Sequence, residues 1–189
     1  VLIEQRADLF YSPKESPTFD KLFAQATAIK AKIAPNADMK ADDAATYDPE
    51  YNVILLNASD FENKHVRSRT LLRQSTAHEL VHAVQNKSIL EKAPDPKDRA
   101  KLLDEAILRW KTEEAFVKHH LEKEIQAETI AQRCDAEALD YFDRARGRAG
   151  FDKTAIESVV EARVNEFVEQ SAPAYEKRAR QLWKRASSR

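Results

Sequence analysis

Glycine is nearly absent: Gly147 and Gly150 are the only two in 189 residues. Average use is about 7%, so the deficit is large. It excludes the Gly-rich loops that cradle phosphates, and with them the nucleotide-dependent enzymes built on such loops. It also favours long helices over tight turns. Cysteine is single, Cys134, which excludes an internal disulfide framework and Cys-rich zinc sites. Long apolar runs are missing too. The longest is Val53 to Leu56, whereas a membrane-spanning helix needs about 20 residues. No basic stretch followed by an apolar run marks a signal peptide in the first 30 residues. An excess of one charge is lacking as well. The formal net charge is -1, which gives no global attraction to nucleic acid or membranes. The chain begins at Val1 and not at an initiator methionine, as a processed chain or a piece cut from a longer one would. It is expected to be soluble, cytoplasmic or exported without a visible signal peptide.

What is present is a highly charged sequence, 33% Asp, Glu, Lys and Arg, with 42% hydrophobic residues. That is enough for a core in a chain of one-domain length. Residues 1–17 read as extended or loop, with Val1 to Ile3 a short strand. Phe19, Leu22, Phe23, Ala26, Ile29 and Ile33 fall on one face of a helix expected from Thr18 to Ile33, ended by Pro35. Residues 44–47 and 51–57, around Asp48-Pro49-Glu50, read as a hairpin. A helix follows from Ser68 to Asn86, with Ala77, Leu80, Val81 and Val84 as its apolar stripe. Residues 87–98 read as a loop with Pro94 and Pro96. Helical pattern runs from Asp98 to Arg146 with a break near Lys111–Thr112. Two further helices are expected, Asp152–Gln170 and Pro173–Lys184.

Residues 78–82 read His-Glu-Leu-Val-His. Positions four apart on a helix share a face, so His78 and His82 can present two imidazoles to one ion. Zinc accepts neutral imidazole nitrogen readily and favours four-coordination. Glu79 lies beside the pair, where a carboxylate can take a proton from a water activated by the ion.

The segment Thr76-Ala77-His78-Glu79-Leu80-Val81-His82-Ala83 resembles the active-site helix of the zincin metallopeptidases. The metzincin branch carries a Gly and a third His within six residues of the second His. Gln85 and Ser88 stand there, which excludes that branch. The gluzincin branch takes its third ligand from a later helix in a pattern like E-x-x-A-[DEN]. Glu124-Ile125-Gln126-Ala127-Glu128 matches it, with Glu in the last position where Asp or Asn is commoner.

The resemblance implies an α+β, predominantly helical fold: a zincin-like metallopeptidase domain with a small β-sheet preceding the HExxH helix. Residues 1–189 would form a single domain. One zinc ion per chain would be held by His78, His82 and Glu124, with Glu128 and His120 as rival third ligands. Glu128 would accept a hydrogen bond from the distal nitrogen of a ligand histidine, and Ala127 would let the two helices approach closely. The strand at 52–57 would hold an extended peptide as an edge strand, Asn57 orienting a substrate carbonyl.

Oxyanion stabilisation needs a further donor. Tyr141 and Tyr175 are the downstream tyrosines, of which Tyr141 is the candidate, with Arg73 or Arg133 as other possibilities. The activity implied is peptide-bond hydrolysis with Glu79 as general base, on a peptide or protein substrate. The alternatives are a zincin-like binding or sensing module that cleaves little, and a host-directed or toxin-type protease domain from a longer chain. Cys134 and the two tryptophans, Trp110 and Trp183, read as packing residues, and His65 and His119 as exposed. Residues 177–189 carry six basic residues and no acid. They read as a basic helical tail with one solvated face, and nucleic acid is not the expected partner.

Overall fold

The computed structural model describes residues 1–39, 44–58 and 66–188. His65 lies outside them. The structure is α+β and predominantly helical, with one small mixed sheet. A 3-10 helix at Ile3–Leu9 occupies the segment expected to be extended. Only its start behaves as a strand: Val1 exchanges main-chain hydrogen bonds with Ile33, and Leu2 bridges Lys32.

Helix α1 (Pro17–Ala28) is started by Ser16, whose buried hydroxyl accepts from the Phe19 amide at 3.0 Å, and by Pro17 in the first turn. It buries Phe19, Leu22 and Ala26. It stops before Ile33, where the periodicity had extended it. Lys30 turns to φ 54°, and strand β1 (Lys32–Asn36) takes Ile33 and Pro35. Pro35 fits because the strand lies at one side of the sheet, where a missing donor is tolerated.

Strands β2 (Ala45–Asp48) and β3 (Val53–Asn57) form the expected hairpin, with Tyr47 opposite Ile54. Asn52, at φ 53°, closes its turn. β1 pairs with β3 in parallel, so the order is β1-β3-β2. The strand expected at the edge is therefore central, and both of its sides are occupied.

Helix α2 (Val66–Gln85) follows. Residues 87–98, expected as a loop, hold a short helix α3 (Lys87–Lys92) and the start of α4 (Pro96–Leu108), which is capped by Asp95. The helical pattern breaks at residues 109–112. Thr112 then caps α5 (Glu113–Ala145), whose C-cap Arg146 is followed by Gly147 at φ 72°. Asp152 caps α6 (Lys153–Ser187), a single helix where two were expected. Pro173 lies inside it. Its missing N–H leaves one carbonyl unpaired by the helix, yet the helix continues to Ser187.

The main core joins Ile54 and Leu56 of β3, Phe19 and Leu22 of α1, Leu80 of α2, and the alanines 127, 131 and 138 of α5. A second cluster holds Phe116, Val117 and Ala179, with Ile107, Leu182 and Trp183 packed against it. Helices α5 and α6 run antiparallel, matched by Arg133–Glu157, Asp135–Arg163, Phe116–Trp183 and Glu113–Arg180. The basic end of the chain thus lies mostly in the last turns of α6, with Ala179 and Ala186 buried. No helix among the described residues is long and apolar enough to cross a membrane.

Candidate metal centre

Helix α2 presents His78 and His82 one turn apart, their ring centroids 4.9 Å apart. Helix α5 crosses it where Ala127 has no exposed surface, so no side-chain bulk holds the two backbones apart. Glu124 lies one turn before that contact and is 4% exposed. His78 Nε2, His82 Nε2 and Glu124 Oε2 consequently meet. The two nitrogens are 3.1 Å apart, and they lie 3.2 and 3.0 Å from the carboxylate oxygen. Among the described residues these three could hold a metal ion.

Each ring is held at its other nitrogen as well. His78 Nδ1 lies 3.0 Å from Glu128 Oε2, and His82 Nδ1 lies 2.9 Å from Gln85 Oε1. Such partners fix the tautomer and the ring plane. Gln85 in turn donates to Gln126 Oε1 at 2.9 Å and to the Lys123 carbonyl at 3.2 Å, tying α2 to α5. Glu128 accepts from Gln132 at 2.6 Å. Gln132 and Asp135 both accept from Arg163 of α6, at 3.1 and 2.6 Å.

The electrostatics follow from this packing. Burial opposes charge on His78, but hydrogen bonds to Glu124 and Glu128, with Glu79 nearby, raise it to about 10. Burial likewise opposes charge on Glu124, but the hydrogen bonds from His78 and His82 hold its carboxyl well below the ordinary value. Glu79 is pushed up by burial, against the pull of the two histidines. Its Oε2 accepts from the Tyr47 amide at 2.8 Å. The Asn57 amide donates to the Ala44 carbonyl, so the antiparallel alternation turns the Tyr47 N–H away from β3 and toward α2.

His120 sits one turn before Glu124 on α5. Its Nε2 lies 3.4 Å from Glu124 Oε1, and it is buried without a hydrogen-bond partner. An unpaired buried group of this kind costs about 1–3 kcal/mol. Burial, outweighing the neighbouring Glu124, lowers the imidazole to about 4.

Helix α6 covers the cluster. Phe167 lies 6.3 Å from His78, centroid to centroid, and Tyr175 lies 5.4 Å from Phe167. Burial first, then the charges of Glu124, Glu79 and Glu128, raise the Tyr175 phenol above its ordinary value.

Tyr141 is not brought to this place. It is 37% exposed and packs on Phe142. Seventeen residues beyond Glu124 on a continuous helix is about 25 Å. Arg133 pairs with Glu157, and Arg73 with Glu15 and the face of Tyr11. Asn57 is buried at the end of the central strand. His119 is half-buried against Trp110, their rings 4.3 Å apart, and not fully exposed as the sequence had it.

Four participants escaped the sequence reading. Gln85 stands three residues after His82, a spacing that places it on the same face and was available as a signal. The Tyr47 amide, Gln132 and Arg163 carry no local signal. The chain matches no protein-family model, no curated protein and no solved structure.

Proposed function

We propose that the chain is a zinc-dependent metallopeptidase of gluzincin type, hydrolysing a peptide or protein substrate. The observation that carries this reading is the convergence of His78 Nε2, His82 Nε2 and Glu124 Oε2 within 3.0–3.2 Å, with Glu79 beside them. Four-coordinate zinc, about 2.0–2.1 Å from each donor, requires donors roughly 3.3 Å apart, so the separations fit. Two imidazoles and a carboxylate are also the donor chemistry of a catalytic site that leaves one position open. When bound, zinc supplies Lewis acidity and makes water a nucleophile near neutral pH.

The chain's own groups do the rest. Glu79 is held at Oε2 by the Tyr47 amide. Its Oε1 takes the proton from the attacking water and returns it to the departing amine, so one water is added across the broken C–N bond. A carboxyl raised by burial suits both transfers. Glu128 and Gln85 keep the two imidazoles in plane. Tyr175 takes the role first assigned to Tyr141. Its phenol stays protonated, and an O–H aimed at the developing oxyanion would stabilise it. The outer edge of β2 replaces β3 as the edge for an extended peptide: Ala45 and the Tyr47 carbonyl turn away from β3, while the Tyr47 N–H is already taken by Glu79.

The test is zinc content and peptide cleavage by the purified chain beside Glu79→Gln. One zinc per chain in both, with cleavage reduced about 10²–10⁴-fold in the variant, is the expected result. Equal cleavage by both would remove Glu79 from the mechanism. A second reading, a module that keeps zinc but cleaves little, is favoured by the low exposure of the ligands (His78 7%, Glu124 4%) beneath Phe167. Zinc in both proteins with cleavage in neither selects it.

A further inference from the structure

Beside the centre, His120 of α5 carries a polar atom that no neighbour among the described residues satisfies. Its Nε2 is buried and has no hydrogen-bond partner. The nearest carboxylate oxygen is Glu124 Oε1, at 3.4 Å. That oxygen is not the one that meets His78 and His82, which both face Oε2. Hydrogen-bond reach ends near 3.2 Å for a nitrogen donor, so a small approach that also aligns the N–H with Oε1 completes the contact.

We propose that His120 is a positioning residue for Glu124, donating Nε2–H to Oε1 so that only Oε2 is offered to the metal. The proposal rests on the metal-centre reading above. Geometry distinguishes His120 from a ligand. The donor atoms within 4.8 Å of one another are those of His78, His82 and Glu124 among the described residues, and His120 is outside that group.

Two features hold the imidazole in place. It lies four residues before Glu124 on the same face of α5. Its ring also stacks on Phe116, centroids 5.9 Å apart at 27°, and Phe116 belongs to the cluster that holds α6 with Ala179 and Trp183. The second apolar cluster therefore braces the third ligand through one imidazole. With Oε1 tied back, Glu124 would offer a bound ion one oxygen and not two. Carboxylate ligands of metals are commonly restrained by such an outer hydrogen bond.

The experiment uses the full chain. Zn²⁺ affinity is measured by chelator competition, and the visible spectrum is recorded with Co²⁺ in place of zinc, for the wild type and three variants. His120→Phe keeps a ring on Phe116 and removes the donor. His120→Ala removes both. His120→Gln restores an N–H. The expected result is a loss of about 10–100-fold in affinity for His120→Phe and His120→Ala. Their cobalt bands weaken as the coordination number rises. The expected affinity of His120→Gln is within about threefold of wild type. His120→Phe should keep the melting temperature of the metal-free wild type, separating the donor from the packing. Wild-type affinity in His120→Phe would overturn the proposal. So would complete loss of metal in all three variants, which would make His120 itself a ligand. A wild-type chain that takes up no metal would instead sink the metal-centre reading, and this proposal with it.

Discussion

Around the candidate centre a side chain's chemistry depends on what its second polar atom touches. His78 and His82 each turn one nitrogen to Glu124 and the other to a fixed acceptor. The His-Glu-Leu-Val-His spacing was legible because a helix repeats every 3.6 residues whatever surrounds it. The acceptors were legible only where they lay within a turn or matched a family pattern. Cys134 shows the opposite outcome for a reactive side chain. It has no exposed surface, and burial pushes its thiol up to about 12. At pH 8 only about one thiol in 10⁴ would be ionised, and the thiolate is the nucleophile. Native protein is therefore expected to resist iodoacetamide at pH 8 and to label fully in denaturant. Labelling of native protein within minutes, read by mass spectrometry, would contradict this.

Helices α5 and α6 carry most of what surrounds the centre, and their pairing is where a single change should be felt furthest. Asp135 is 6% exposed and holds Arg163 at 2.6 Å, while Tyr11 donates to its other oxygen at 3.5 Å. The same guanidinium reaches Gln132, which donates to Glu128. Exposed ion pairs contribute about 0–1 kcal/mol, and breaking a buried one costs about 3–5. Arg163 is about one-third exposed and Asp135 is not. Arg163→Met is therefore expected to destabilise the chain by about 2–3 kcal/mol in urea unfolding. Adding Asp135→Asn should recover part of the loss, because the stranded buried charge is gone. Strictly additive losses would exclude the coupling. Element boundaries were legible where a cap is local, as at Thr112 and Asp152. They were not legible at Ile33, where helical periodicity and strand pairing competed and β3 decided the outcome. Pro173 likewise reads as a boundary by itself, yet α6 continues through it.

Across the whole molecule, burial of phenols sets a limit on alkaline stability. Tyr11 and Tyr47 are 5% and 7% exposed, and burial raises both above the ordinary value, with Asp135 adding to the effect on Tyr11. The folded chain keeps these protons above pH 10, where the unfolded chain, near its ordinary pKa of about 10, releases them. The unfolded state then binds fewer protons, so stability falls as pH rises. The contribution is complete below about pH 10 and is lost progressively above it. Melting temperatures at pH 9, 10 and 11 should decline, and less steeply for Tyr11→Phe than for wild type. Equal slopes would remove Tyr11 from the account.

The features legible in the residues alone are short in range. They comprise the helical bias of a glycine-poor chain, the hairpin, the capped helix starts, and the pairing of His78 with His82 on one face. These depend on backbone periodicity and on contacts within a turn. Only the packed chain shows that β3 is central, that Tyr175 and not Tyr141 lies within the field of Glu124, Glu79 and Glu128, and that His120 faces Oε1 of Glu124. Those outcomes depend on how α5 and α6 lie against each other and against α2. That register is settled by packing between residues tens of positions apart, which no local pattern encodes.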